Sequence, residues 1–164
     1  MSSLYYVTVT IHVLAAVVWL GGMIAFAILA PALRSVEDDG VRQRIFHVLG
    51  ERFRTVGWIC IAVLLVTGVG QLQLRGWWGA DFWGVPGFWS TGLGSALGWK
   101  LATVTVMLVV QAVHDFWLGP RAGRVTPGTP EAVGLRRRAA HLARANALVG
   151  LVLIYFAVRL ARGG

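Results

Sequence analysis

The sequence predicts an all-α fold, an integral membrane four-helix bundle forming a single domain, and three observations carry that prediction. Of the 164 residues, 57% are hydrophobic and only 13% charged, whereas soluble domains carry about a quarter charged residues. Four apolar stretches approach or exceed the ~20 residues, at ~1.5 Å of rise each, that a helix needs to cross the hydrocarbon core. The basic residues, which give a net charge of +8, cluster between those stretches. That placement reads as membrane topology and argues against a nucleic-acid partner.

The first span is expected over residues 4–30, stopped by Pro31, because proline removes a backbone donor and crowds the preceding turn. No basic segment precedes it, and it is too long for a cleavable signal, so it reads as a retained span. The second span is expected over 55–74. Before it, residues 41–54 alternate arginine with Ile45, Phe46, Val48, Leu49 and Phe53, the pattern of a helix lying at the interface and running into the span. The third span covers 97–118 and ends at Gly119-Pro120; the fourth covers 143–160. Residues 76–98 form an outer loop rich in Trp and Gly, whose Trp77, Trp78, Trp83 and Trp89, with Trp99 just after it, suit the headgroup zone. Pro127 and Pro130 make the connection after span three irregular.

Connection 34–54 holds five arginines and connection 121–144 holds six, while 76–98 and the N-terminal tail hold no basic residue. Basic loops stay on the cytoplasmic side. The expected setting is a bacterial inner membrane, with both termini and the middle loop outside. A basic segment carrying a histidine, His47 and then His141, precedes spans two and four alike, a faint two-helix echo. The single cysteine, Cys60, permits no disulfide within the chain and no zinc spacing.

Polar groups are costly in lipid and are expected to turn inward. At about 100° per residue, Lys100, Thr103, Met107, Gln111 and His114 share one edge of span three. Tyr5, His12, Trp19 and Met23 do so in span one, Cys60, Thr67 and Gln71 in span two, and His141, Arg144, Leu148, Tyr155 and Arg159 in span four. Four polar edges meeting at one axis would sort by depth. His12, Met107, Thr67, Thr103 and Tyr155 fall in the outer half, with Lys100, Arg159 and Gln71 above them. His114, Asp115, Arg54 and Arg144 gather at the inner end.

His12 with Met107 can ligate a haem iron or a copper ion; Lys100 and Arg159 then become partners for propionates or another anion. The plainer reading is a histidine bonded to a neighbouring carbonyl, a methionine filling a gap and two cations reaching for the headgroups. His114-Asp115 reads as a separate inner metal site or, in preference, as a charge pair with Arg54 or Arg144. His47 and His141 read as solvated. Gly21-Gly22, Gly68 and Gly70 allow close helix contact.

The stretches IHVLAAVVWLGGMIAFAILAPALR, RFRTVGWICIAVLLVTGV, GWKLATVTVMLVVQAVHDFWLGPR and ARANALVGLVLIYFAVRLARG together resemble the small CopD-like membrane proteins, named for copper resistance. More distantly the chain is similar to the HemJ-type protoporphyrinogen oxidases, through His12 in span one, Trp99 and Lys100 opening span three, and Arg144 and Asn146 opening span four. The acidic residue that follows that Asn in the second family is Ala147 here. The resemblance implies a redox-active metal centre, haem b or copper, in the outer half of the bundle. His12 leads as ligand, Met107 follows, and Lys100, Arg159 and Tyr155 surround the cofactor. Electron transfer is the implied task, with a redox partner or quinone. Copper transport, an enzyme that oxidises a porphyrin or acts on a quinone, and a cofactor-free helper subunit are the competing readings. Lipid is the certain partner, and a homo-oligomer is compatible with the small-residue contacts.

Overall fold

The computed structural model describes residues 3–126 and 129–163. Within them the chain is all-α, with no strand, and four of its helical runs are long and apolar enough to cross a membrane. That is the expected class, compatible with a membrane helical bundle. The chain divides into two compact units, one ending at Val85 and one beginning at Pro86.

The first unit is an antiparallel helical pair. Helix α1 spans Ser3–Ala32 and α2 spans Asp39–Leu74. Pro31 does not stop α1; it sits in the last turn, where the broken ladder costs little because the helix is ending, and a 3-10 turn, Leu33–Ser35, follows. Asp38 caps α2, its carboxylate accepting from the N–H groups of Gly40 at 2.8 Å and Val41 at 2.9 Å. The helix expected over 41–54 and the span expected over 55–74 are one unbroken helix. At ~1.5 Å per residue α2 is ~54 Å long, well beyond a ~30 Å hydrocarbon core. Its arginine-bearing half therefore stands at or outside the interface. The buried seam consists of Tyr5, Ala15, Trp19 and Met23 from α1 and Cys60, Ile61 and Thr67 from α2. Gly22 lies so close to Phe53 that a Cβ there would fall 2.1 Å from the ring, and Phe26 meets Phe46 and Phe53 beside it. A short helix, α3 (Ala80–Trp83), ends the unit, with the Trp83 indole donating to the Trp77 carbonyl at 2.7 Å.

The second unit opens with a 3-10 turn, Phe88–Ser90, followed by α4, Gly92–Ala112. Span three thus starts inside the expected loop. Thr91 makes this possible, because its hydroxyl accepts from the Gly94 N–H at 3.0 Å and caps the helix. The helix does not end at Gly119-Pro120. A π-helical turn, Val113–Leu118, leads into α5, Gly119–Arg124, with Pro120 in its first turn, where proline is tolerated. Helix α6 covers Pro130–Ala161, with Thr129 as its cap and Pro130 at its first position. Pro130 thus begins a helix, not an irregular stretch; Pro127 lies outside the described residues. The arginines of connection 121–144 are therefore carried by helices.

Helices α4 and α6 pack antiparallel along their length, in a register marked by the Trp99–Phe156 stack and the Gln111–Asn146 hydrogen bond.

Candidate functional site

In the first unit the stripe expected on α1 is the buried face: Tyr5, Trp19 and Met23 are all at least nine-tenths covered, with His12 partly so. Helix α2 presents Cys60 and Thr67 to it. The central contact is between His12 Nδ1 and Thr67 Oγ1, 2.7 Å apart. A threonine hydroxyl has one hydrogen to give. Here it is committed to the Val63 carbonyl one turn back, at 2.6 Å, a habitual bond for threonine within a helix. Oγ1 must then accept from His12, so the imidazole carries its proton on Nδ1. In the neutral imidazole this leaves Nε2 as the acceptor nitrogen, the tautomer through which a histidine binds a metal. Gly68 lies beside the ring: a Cβ there would come 3.5 Å from His12 Cε1.

One and two turns further along α2 come Gln71 and Arg75. The Gln71 amide nitrogen is buried without a hydrogen-bond partner among the described residues, as is the Trp19 indole nitrogen. Arg75 donates from Nε to Tyr5 Oη at 2.8 Å and from Nη2 to the same oxygen. Its guanidinium also lies 4.6 Å from the centroid of the Trp77 ring. Arg75 was not anticipated, although Tyr5 near the start of α1 and Arg75 at the end of α2 are natural partners in a tight antiparallel pair.

The second unit carries a chain of side-chain hydrogen bonds. Asn146 Nδ2 donates to Gln111 Oε1 at 2.7 Å, and Gln111 Nε2 donates to Asp115 Oδ2 at 2.6 Å. His114 Nδ1 lies 2.8 Å from Asp115 Oδ1. Asn146 is 2% exposed, yet its Oδ1 has no partner among the described residues. The π-turn places His114 and Asp115 here: its extra residue per turn shifts the phase of the helix, so that Asp115 and Leu118 are buried while Phe116 and Trp117 face out. Such turns concentrate at functional positions. Within this unit Asp115 thus meets an amide and an imidazole. Apart from Gln111 and the His114-Asp115 pair itself, sequence reasoning missed this network, although an asparagine among the aliphatic residues of α6 was the available signal.

The remaining expected site residues divide. Met107 is buried, 3% exposed, on the α4 edge that also carries Gln111. Lys100 and Arg159 are half-buried. The stripe expected on α6 is not its buried face: Tyr155 is 59% and Leu148 64% exposed, and His141 and Arg144 are exposed too. The covered edge carries Ala132, Asn146, Gly150 and Leu160 instead, because packing on α4 selects small residues and one amide over long cationic side chains. His47 is exposed, 3.6 Å from Glu51. Among the described residues no three His, Cys, Asp or Glu side chains group to hold a metal ion.

Residues 47–160 match the family described as copper resistance protein D. An uncharacterized protein of Aquifex aeolicus (strain VF5) is 26% identical over 155 residues, covering 93% of this chain and 92% of the relative. No solved structure matches the chain.

Proposed function

The chain belongs to the copper resistance protein D family, and on that premise we propose that it handles copper within the membrane, with His12 as the imidazole that receives the metal. The observation that carries this reading is the His12–Thr67–Val63 relay. It holds the ring in one tautomer and one orientation, as second-sphere partners do for metal-binding histidines. Imidazole suits copper, and thioether sulfur suits Cu(I). Met107, buried in the second unit, is the thioether that this reading adds there. In the same reading the protein lies in a bacterial inner membrane with both termini outside, a placement supported by the two arginine-rich connections.

A resident haem b serving electron transfer is the finer alternative, for which His12 would supply the imidazole ligand. Lys100, Arg159 and Tyr155 are the second unit's polar candidates in that reading. One experiment separates the two. The full-length protein, purified in mild detergent and exposed to Cu(I) under reducing conditions, is expected to retain copper. His12→Ala is expected to lose most of it and Met107→Leu part of it, both with unchanged helical content. A Soret band abolished by His12→Ala replaces copper with haem. Copper retention unaffected by His12→Ala overturns the assignment of His12.

A further inference from the structure

We infer that the inner end of the second unit is a binding surface for anionic phospholipid headgroups, formed by α5 and the first half of α6. The depth of this surface is marked by Trp117. Its ring is 53% exposed and the neighbouring Phe116 is 63% exposed, the placement of aromatic side chains at the edge of the hydrocarbon. The Arg121 guanidinium sits 4.2 Å from the centroid of the Trp117 ring, held one turn beyond that edge by a cation–π contact.

Helix α6 brings its cations to the same level. Its 32 residues make ~48 Å, more than the ~30 Å core holds, so its basic first half lies at or beyond the interface. Stepping ten residues along each helix from the Gln111–Asn146 bond reaches Arg121 on one side and Arg136 on the other, and α5 packs against α6 there. Arg121, Arg124, Arg136, Arg137, Arg138 and Arg144 are all exposed.

The charge of the patch is one-sided. From residue 116 to the end of the chain Glu131 is the only acidic residue, so the guanidinium groups have almost no carboxylate to pair with along this stretch. Successive residues turn by about 100°, so Arg136, Arg137 and Arg138 fan around the helix and reach separate phosphates. Guanidinium matches a phosphate oxygen pair with two parallel hydrogen bonds. This exceeds what topology alone asks of a loop, because it predicts a preference among lipids. Each arginine near an anionic surface contributes about fivefold in affinity.

The test uses the full chain in nanodiscs of phosphatidylcholine, alone or mixed with phosphatidylglycerol. The melting temperature is expected to rise with phosphatidylglycerol and the rise to shrink with added salt. The combined change Arg136→Gln, Arg137→Gln and Arg138→Gln is expected to keep the phosphatidylcholine melting temperature and lose more than half of the rise. Arg42→Gln with Arg44→Gln, on α2, is expected to keep it. If the triple variant does not fold, Arg137→Gln decides through a smaller loss in the same direction. The inference is overturned if wild type shows no rise, if the variants on α6 retain it in full, or if those on α2 lose as much.

Discussion

The proton on Thr67 decides what His12 can do. Because the hydroxyl gives its hydrogen to the Val63 carbonyl, it orders the imidazole without competing for the ring's second nitrogen. Removing the hydroxyl while keeping the shape isolates that role. Thr67→Val is expected to weaken copper retention by about 10- to 100-fold, the usual cost of losing a second-sphere partner, and, because it takes the acceptor from the His12 Nδ1–H, to cost about 1–3 kcal/mol of stability. Equal retention in wild type and Thr67→Val would remove Thr67 from the site. Gln111 makes the corresponding point in the second unit, since one amide serves Asn146 and Asp115 together. Gln111→Leu leaves an amide donor and a carboxylate oxygen without their partners and is expected to cost about 1–3 kcal/mol, read as a fall in the unfolding midpoint. A midpoint equal to wild type would show that the chain of hydrogen bonds is not coupled to folding.

Two glycines separate packing from propensity at the scale of the elements. A Cβ on Gly94 would lie 2.0 Å from the Phe88 carbonyl oxygen, a backbone atom that no rotamer change can move. Gly94→Ala is therefore expected to destabilise the turn before α4 by about 1–3 kcal/mol or more. Gly70 is helical and a Cβ there meets nothing within 4 Å. Gly70→Ala is expected to be neutral or to stabilise by up to about 1 kcal/mol, the intrinsic difference between the two residues in a helix. Thermal midpoints of the two variants test the pair, and a reversed order would contradict the close approach at Gly94. The π-turn belongs to the same scale: nothing in VHDFWL as a string announces an extra residue per turn, and it follows from burying Asp115 beside Gln111 while Trp117 faces out.

Across the molecule the proposed orientation rests on the arginines. Eleven arginines lie in the two connections read as inner, whereas the middle connection and the N-terminal tail have none. A reporter that is active only outside the cytoplasm is expected to be active when fused after residue 164 and inactive when inserted at 127–128. Activity at the second position would reverse the topology, since flanking basic residues govern insertion. The helix lengths carry a related consequence. Helices α2 and α6 exceed the thickness of the core, so both halves of the chain carry basic helical extensions and not flexible basic loops.

The class of the protein, the four spans and the stripe from Tyr5 to Met23 were legible in the sequence, because hydrophobic length and the 3.6-residue period are local properties of a chain. The edge of α4 bearing Met107 and Gln111 was legible for the same reason. Local pattern was not sufficient elsewhere. The stripe read on α6 was periodic and polar, yet Asn146 and Gly150 face α4 while Tyr155 does not. Which face is covered depends on the partner helix, and periodicity describes one helix at a time. Likewise the pairings His12–Thr67, Tyr5–Arg75 and Gln111–Asn146 depend on the axial register between two helices. That register is set by side chains interlocking over many turns, which only the tertiary structure decides.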